Sequence, residues 1–371
     1  MKIAMVGQKV VPSRDGGIEV VVEALSSEML KKGHSLTLFN RKRKHNKDNP
    51  KISEYNGAKI IETFTLNRRA IDAYLYSFCA TVKVRQMAKR GKFDVVHFHS
   101  EGACAFLNLF PKRKKRNYKI VVTVHGIDWM RGKWKGIGAK VIKNAEKKIV
   151  KYADEIIVLS ESVKTYFKKN YNRETIFIPN GVYPPTLKAP EYIKETFNLA
   201  KDEYVLTVAR IVPEKRIKEL IEAWKTVREK TGTEKKLVIV GGESHSKDYY
   251  NEVVALCKND ESIILTGFMR GQPLEELFSN AYLYVQASDL EGMSMALLEA
   301  RAYGNTCLVS SIPENADVVG ENDYVFKVND KEDLEKKLSE IILKKLTTHT
   351  KLYLANTWES IADMTLDVYK R

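Results

Sequence analysis

Short apolar runs alternate with segments of helical periodicity along almost the whole chain, the pattern of repeated βαβ units around parallel sheet. In the first half the expected strands are Lys2–Val6, Ser35–Phe39, Lys59–Phe64, Val95–Phe98, Ile120–Val124, Glu155–Leu159 and Thr175–Ile178. In the second half they are Tyr204–Val208, Leu237–Val240, Ile263–Leu265, Leu283–Gln286, Thr306–Val309 and Tyr324–Val328. Two doubly wound sheets are therefore expected. The pattern lapses from Pro179 to Pro190, which holds four of the ten prolines and reads as a linker. A boundary near residue 186 gives two Rossmann-like domains, 1–186 and 187–350, followed by a terminal segment, 351–371. In that segment Thr357 is placed to cap a helix whose apolar positions are Ile361, Met364, Leu366 and Val368. From the residues alone it is a surface helix.

A chain of 371 residues, 44% hydrophobic, is long enough for two cores. No apolar run approaches the roughly 20 residues of a membrane span. Ile3 to Val6, followed by Gly7 and Gln8, reads as a strand and not as a signal peptide, so a cytoplasmic location is expected. Cys79, Cys104, Cys257 and Cys307 lie far apart, which indicates neither a disulfide framework nor a zinc site.

The net charge of +15 divides unevenly. Met1 to Pro185 carries 37 Lys and Arg against 16 Asp and Glu, whereas the remainder carries 25 against 31. The basic clusters are Arg41–Lys44, Lys112–Arg116 and a run from Arg131 to Lys148. Such a surface seeks an anionic partner. No nucleic-acid recognition module is visible, so nucleic acid is not expected. Arg131-Gly-Lys-Trp134-Lys combines an indole with cations and suits an anionic membrane surface; a solubilising basic face is the plainer alternative.

Candidate chemistry collects at strand ends. Asp289-Leu-Glu-Gly-Met-Ser-Met-Ala-Leu-Leu-Glu299 places two carboxylates eight residues apart around a strand-to-helix junction. Carboxylates there accept hydrogen bonds from vicinal hydroxyls, and open α/β sheets bind ligands at that edge. Arg210 and Lys215 follow the first strand of the second half and suit a leaving pyrophosphate. Gly16-Gly17 before a helix allows close approach of an anion, although such a pair also serves as an ordinary turn. It is not the GxGxxG of a dinucleotide site, which argues against a Rossmann oxidoreductase. His97 and His99 share one strand face without a third metal ligand, so a polar rim is expected in place of a metal site. His125 ends a buried-strand run at the carboxyl edge of the first sheet.

The Glu291-x7-Glu299 string resembles the signature of retaining glycosyltransferase family four, nucleotide-sugar enzymes of GT-B architecture. The likeness extends to Lys2-Ile-Ala-Met-Val-Gly with Gly16-Gly17, His125-Gly-Ile-Asp-Trp, Ile178-Pro-Asn-Gly-Val, the Arg210 and Lys215 pair, and Trp358. It implies two Rossmann-like domains facing a deep inter-domain cleft, with the last helix returning to the N-terminal domain. It implies Glu291 and His125 at the donor sugar, Glu299 at the ribose, and Arg210 and Lys215 at the diphosphate. Gly16 and Gly17 are expected near diphosphate and acceptor, with Glu19 reaching to the acceptor side. Gly242, beside Gly241, would make room for the nucleotide, with Phe268 and Met269 bordering the base. Asp128 is left open as an acceptor contact.

The expected reaction moves a sugar from a nucleotide diphosphate sugar to a saccharide acceptor, lipid-linked in cell-surface polysaccharide synthesis, with retention of configuration. The segments His125–Trp134 and Tyr152–Glu161 look like the bacterial surface-polysaccharide branch with its rhamnosyltransferase-like members, while Arg301 and Ser311 depart from the common residues of relatives. No Asp-x-Asp pair is present, so no metal or other cofactor is expected. The alternatives are a nucleotide-sugar hydrolase or epimerase of the same fold, and a non-catalytic nucleotide-sugar-binding partner at the membrane.

Overall fold

Inner strands rich in Val and Ile, buried on both faces, need cover on both sides, and the helices between them provide it. The computed structural model describes all residues except 14–15, 46–49, 67–68, 131–135, 245, 322 and 345–355. The Arg131 to Lys135 cluster lies outside the described residues. Contacts divide the chain into one unit of Met1–Gly181 with Asn356–Arg371 and a second of Val182–Ala355.

The first unit holds β1 (Lys2–Val6), β2 (Ser35–Arg41), β3 (Glu54–Tyr55), β4 (Ala58–Thr63), β5 (Val95–His99), β6 (Lys119–Val124), β7 (Glu155–Val158) and β8 (Ile176–Phe177). Their order is β3-β4-β2-β1-β5-β6-β7-β8, parallel except where β3 pairs antiparallel with β4. The second unit holds β9 (Tyr204–Val208), β10 (Lys236–Val240), β11 (Ile263–Gly267), β12 (Leu283–Gln286), β13 (Cys307–Ser310) and β14 (Tyr324–Phe326). Their order is β11-β10-β9-β12-β13-β14, all parallel. Both are Rossmann-like sheets, as expected. The unexpected strand is β3, which turns back through Asn56 (φ 48°) and Gly57 (φ 87°). An Asn-Gly pair with both φ positive is the two-residue hairpin turn, a signal present in the sequence.

Each sheet reverses its winding once. In the first unit the chain passes β1, β2 and β4 to one side, then resumes with β5 on the other side of β1. In the second it passes β9, β10 and β11, then resumes with β12 on the other side of β9. The crevices beyond the carboxyl ends at such switch points are where open α/β sheets bind ligands.

Thr357 caps the last helix, Trp358–Lys370, by accepting from the Ser360 N–H at 3.2 Å. That helix belongs to the first unit and packs against the helix Gly17–Lys31. Its buried face is Trp358, Ile361, Ala362, Thr365, Leu366, Val368 and Tyr369. Met364 is only half-buried, because the 3.6-residue period puts Thr365 inward in its place. Gly181 admits this contact: a Cβ there would lie 2.7 Å from the Trp358 nitrogen.

Candidate active site

In the second unit the loops after β9 and β12 leave adjacent strands at the switch point. The first carries Arg210 and a short turn, Pro213–Lys215; the second carries Asp289 and Glu291. Lys215 Nζ is ion-paired with the Glu291 carboxylate, the side chains being 14% and 9% exposed. Arg216, the next residue, is held in the left-handed region (φ 53°). Its guanidinium donates to Asp289 at 2.6 Å, to Glu219 at 2.6 Å and to Asn329. The Asp289 N–H donates to the Glu214 carbonyl at 3.0 Å. These bonds lock the two loops together and over-determine the strained backbone. Arg210, half-buried, makes no side-chain hydrogen bond or ion pair among the described residues.

Behind Glu291 lies a buried polar chain that the sequence reading missed. The Gln286 carbonyl oxygen accepts from Ser294 Oγ at 2.7 Å and from Tyr284 at 3.3 Å, while its amide donates to Asn315 at 2.6 Å. Asn315 donates to Ser310 at 3.0 Å, and Ser310 donates to the Ser288 carbonyl at 2.5 Å. Ser294 also caps the helix Met295–Ala302 by accepting from Leu297 N–H. One satisfied network thus fixes both ends of the segment bearing Glu291. A polar Gln ending an apolar strand was its available signal. Glu299 lies one turn into that helix and half-buried. Burial holds the Tyr284 phenol well above its usual range, and the nearby Glu291 and Glu299 charges add to this.

Gly241 lacks a side chain for a local reason, since a Cβ would lie 1.9 Å from the Ala209 carbonyl oxygen. Gly242 is not crowded in that way; its nearest side-chain neighbour would be Phe268 at 3.8 Å. Phe268 is 57% exposed at the end of β11, whereas Met269 packs against the core around Leu206 and Leu277. Arg301 ion-pairs with Asp323 at 3.3 Å and Ser311 accepts from the Val328 N–H at 3.1 Å. Both departures from the family pattern therefore serve the local loop structure.

In the first unit Gly7 follows β1 with φ 129°, and a Cβ there would lie 2.0 Å from the His99 carbonyl oxygen. Only glycine permits that approach. His97 and His99 do not form an exposed rim: both are fully buried, with ring centroids 4.1 Å apart. His97 bonds the Tyr369 hydroxyl at 2.6 Å and Thr123 at 2.7 Å, so the last helix is fastened beneath the sheet edge. His99 Nδ1 lies 3.1 Å from His125 Nε2. Burial pushes His97 down to about 3 and His99 well below the usual range. No grouping of metal ligands occurs among the described residues.

His125 is buried at 6% exposure, and Gly126 follows with φ 123°. The next turn, Asp128–Met130, is held from behind: Asp128 N–H donates to Glu101 at 2.9 Å and the Trp129 indole donates to Glu146 at 2.6 Å. Glu146 also accepts from Tyr166 at 2.9 Å and Tyr171 at 2.5 Å. Burial, with the charges of Asp128 and Glu146, raises the Glu101 carboxyl well above the usual carboxylate range. Burial and Glu146 push Tyr166 up to about 12. The Gly16-Gly17 junction starts the helix Gly17–Lys31 with Gly16 extended. Glu19 is buried there and accepts from the Lys9 N–H at 2.7 Å, so it braces the loop after β1 and does not reach outward.

The second sheet is parallel throughout and the first is parallel but for β3, and each carries loops at its switch point, the two-domain Rossmann-like architecture of the GT-B class. Residues 15–184 match the Glycosyltransferase Family 4 model and residues 189–355 match Glycosyl transferases group 1. Between them these domains account for most of residues 15–355, and the chain is a glycosyltransferase with a family-four N-terminal domain and a group-one C-terminal domain. An uncharacterized glycosyltransferase of Methanocaldococcus jannaschii is 22% identical, covering 100% of this chain and 98% of its own length. The Escherichia coli UDP-Gal:alpha-D-GlcNAc-diphosphoundecaprenol alpha-1,3-galactosyltransferase is 28% identical over 63% of this chain and 62% of its own. Sucrose-phosphate synthase from Thermosynechococcus elongatus shares the fold with a TM-score of 0.80 at 19% identity, covering 99% of this chain and 98% of that one.

Proposed function

We propose that the protein transfers a hexosyl or deoxyhexosyl group from a nucleotide diphosphate sugar to a lipid-linked saccharide, with retention of anomeric configuration and without a metal ion. The observation that carries this reading is the Lys215–Glu291 pair at the second switch point, beside the uncommitted Arg210. A donor diphosphate supplies the anion that Arg210 lacks and competes with Glu291 for Lys215. As Lys215 turns to phosphate, the Glu291 carboxylate is released to accept from sugar hydroxyls. Glu299 holds the ribose hydroxyls, Gly242 leaves room for the nucleotide and Phe268 borders the base. In the first unit His125 and the Gly16-Gly17 loop serve the sugar and the acceptor.

The acceptor oxygen bonds to the anomeric carbon on the face from which the phosphate oxygen departs, and that departing oxygen takes the acceptor proton. The protein contributes position and charge stabilisation, Arg210 and Lys215 supplying the countercharge that a metal supplies elsewhere. The lipid-linked acceptor is supported by the diphosphoundecaprenol named for the Escherichia coli relative. It implies work at the cytoplasmic face of an anionic membrane, on the surface-polysaccharide branch.

Labelled UDP-, GDP- and dTDP-sugars incubated with and without a lipid-linked acceptor test the proposal. Label is expected to move to lipid, with α-configured donor giving α-linked product by NMR and no loss of rate in EDTA. Free sugar in place of glycolipid would establish a hydrolase, and no transfer across the donor panel would refute the reading.

A further inference from the structure

The helix Arg69–Lys89 is apolar on two opposite faces. Tyr76, Ala80, Val84 and Ala88 enter the core of the first unit, as one face of such a helix should. Opposite them Ile71, Tyr74 and Phe78, at positions i, i+3 and i+7, are 50%, 51% and 42% exposed. A helix with only water on that side would carry charges there. The loop before it adds Phe64 and Leu66, 52% and 46% exposed. Thr65 Oγ1 donates to the Asp72 carboxylate at 2.6 Å, which fastens this loop to the helix. On the other flank Phe106 packs edge-on to Tyr74 and Phe78, with ring centroids at 4.8 and 5.2 Å. These contacts join the exposed side chains into one patch, which calls for a partner.

The charges around the patch indicate which partner. Its acids are already committed, Asp72 to Arg41 and Glu62 to His45. Lys148 Nζ sits 5.8 Å from the Phe106 ring centroid. Lys42 follows Arg41, its N–H bonded to the Thr63 carbonyl at 2.8 Å just before Phe64. Among the described residues the side chains of Lys42 and Arg43 pair with no acid. Aliphatic and aromatic groups rimmed by cations that pair with no acid among the described residues match acyl chains beneath anionic headgroups. Leu66 and Ile71 set aliphatic side chains among the rings of Phe64, Tyr74 and Phe78, whereas a base-stacking surface relies on rings.

We propose that this patch docks the chain on an anionic lipid surface, with Phe64, Leu66, Ile71, Tyr74 and Phe78 below the headgroups and Lys42 and Arg43 against their phosphates. The helix lies on the membrane: it carries Asp72, Lys83 and Arg85, and no described helix is long and apolar enough to cross one. The proposal rests on the lipid-linked acceptor for its purpose and names where that lipid is met.

The full chain is sedimented with phosphatidylglycerol-rich vesicles and with pure phosphatidylcholine vesicles, with no donor or acceptor present. Binding is expected only to the former. Ile71→Ser with Phe78→Ser, and separately Lys42→Glu with Arg43→Glu, should each weaken it by about tenfold. Both variants should keep the wild-type melting temperature and transfer to a water-soluble acceptor. The proposal is overturned if neither variant loses vesicle affinity, if the wild type ignores anionic vesicles, or if the serine variant merely dissociates a dimer. Transfer of sugar by a protein that ignores vesicles would sink this surface alone. Vesicle binding without transfer would sink the functional reading alone.

Discussion

At the second switch point Glu291 faces Lys215 and Asp289 faces Arg216, whereas in the first unit the fully buried Glu146 is held by the Trp129 indole and the Tyr166 and Tyr171 hydroxyls. Among the described residues no cation pairs with Glu146. An ion pair contains a cation that an incoming anion is able to claim. A carboxylate satisfied by neutral donors has no such cation to release, and its role is to hold those donors still. On the proposed reading the second unit exchanges charge with a donor, while in the first the donors around Glu146 hold the turn after His125.

The largest expected effect falls on the uncommitted cation. Arg210→Ala should lower kcat/KM by about a thousandfold, roughly 4 kcal/mol, the scale of removing a group that stabilises transition-state charge. A loss below tenfold, measured by steady-state kinetics, would remove Arg210 from the diphosphate. Next in size is Glu146→Leu, which leaves three half-buried donors without their acceptor at about 1 kcal/mol each. Roughly 3 kcal/mol should vanish from the unfolding free energy in urea; an unchanged midpoint would mean that Glu146 is no anchor.

Smaller still is the pH response of the first unit. Burial raises the Glu101 carboxyl in the folded state above its unfolded value, so its favourable contribution is complete below that value and is lost as pH rises through the folded one. Glu101→Gln, which can still accept from the Asp128 N–H, should therefore raise the melting temperature at neutral pH by roughly 2–4 °C. The gain should disappear in acid. His97 runs the opposite way: its folded value is pushed down to about 3, so stability falls as pH drops below its ordinary 6.5.

The sheet architecture was legible because parallel strands covered on both faces are uninterrupted apolar runs, and each such run from Lys2–Val6 to Tyr324–Phe326 forms a strand. What the pattern conceals is side-chain pairing at long range. Nothing in the spacing of Lys215 and Glu291 marks them as ion-paired, since strand order brings them together. Likewise His97 and His99 alternate as a surface pair would, but His97 meets Tyr369, returning from the far end of the chain, and His99 meets His125. Glu19 has the position of an outward acid in a first helical turn, yet the loop after β1 folds its Lys9 N–H onto it. Gln286 is a polar residue ending an apolar strand, a sign of a buried network that says nothing about its partners, whereas Asn315 and Glu146 stand among polar neighbours and give no such sign.

The division of labour between Glu291 and Glu299 is tested most directly by calorimetric titration of nucleoside diphosphates into the wild type, Glu291→Gln and Glu299→Gln. Glu291→Gln frees Lys215 for phosphate, so the Kd for the preferred diphosphate should stay the same or tighten by a few fold while kcat falls by about a hundredfold. Glu299→Gln should weaken that Kd by about tenfold through loss of a charge-assisted hydrogen bond. Equal weakening in both variants would contradict an exchange of Lys215 between carboxylate and diphosphate, and with it the proposed site.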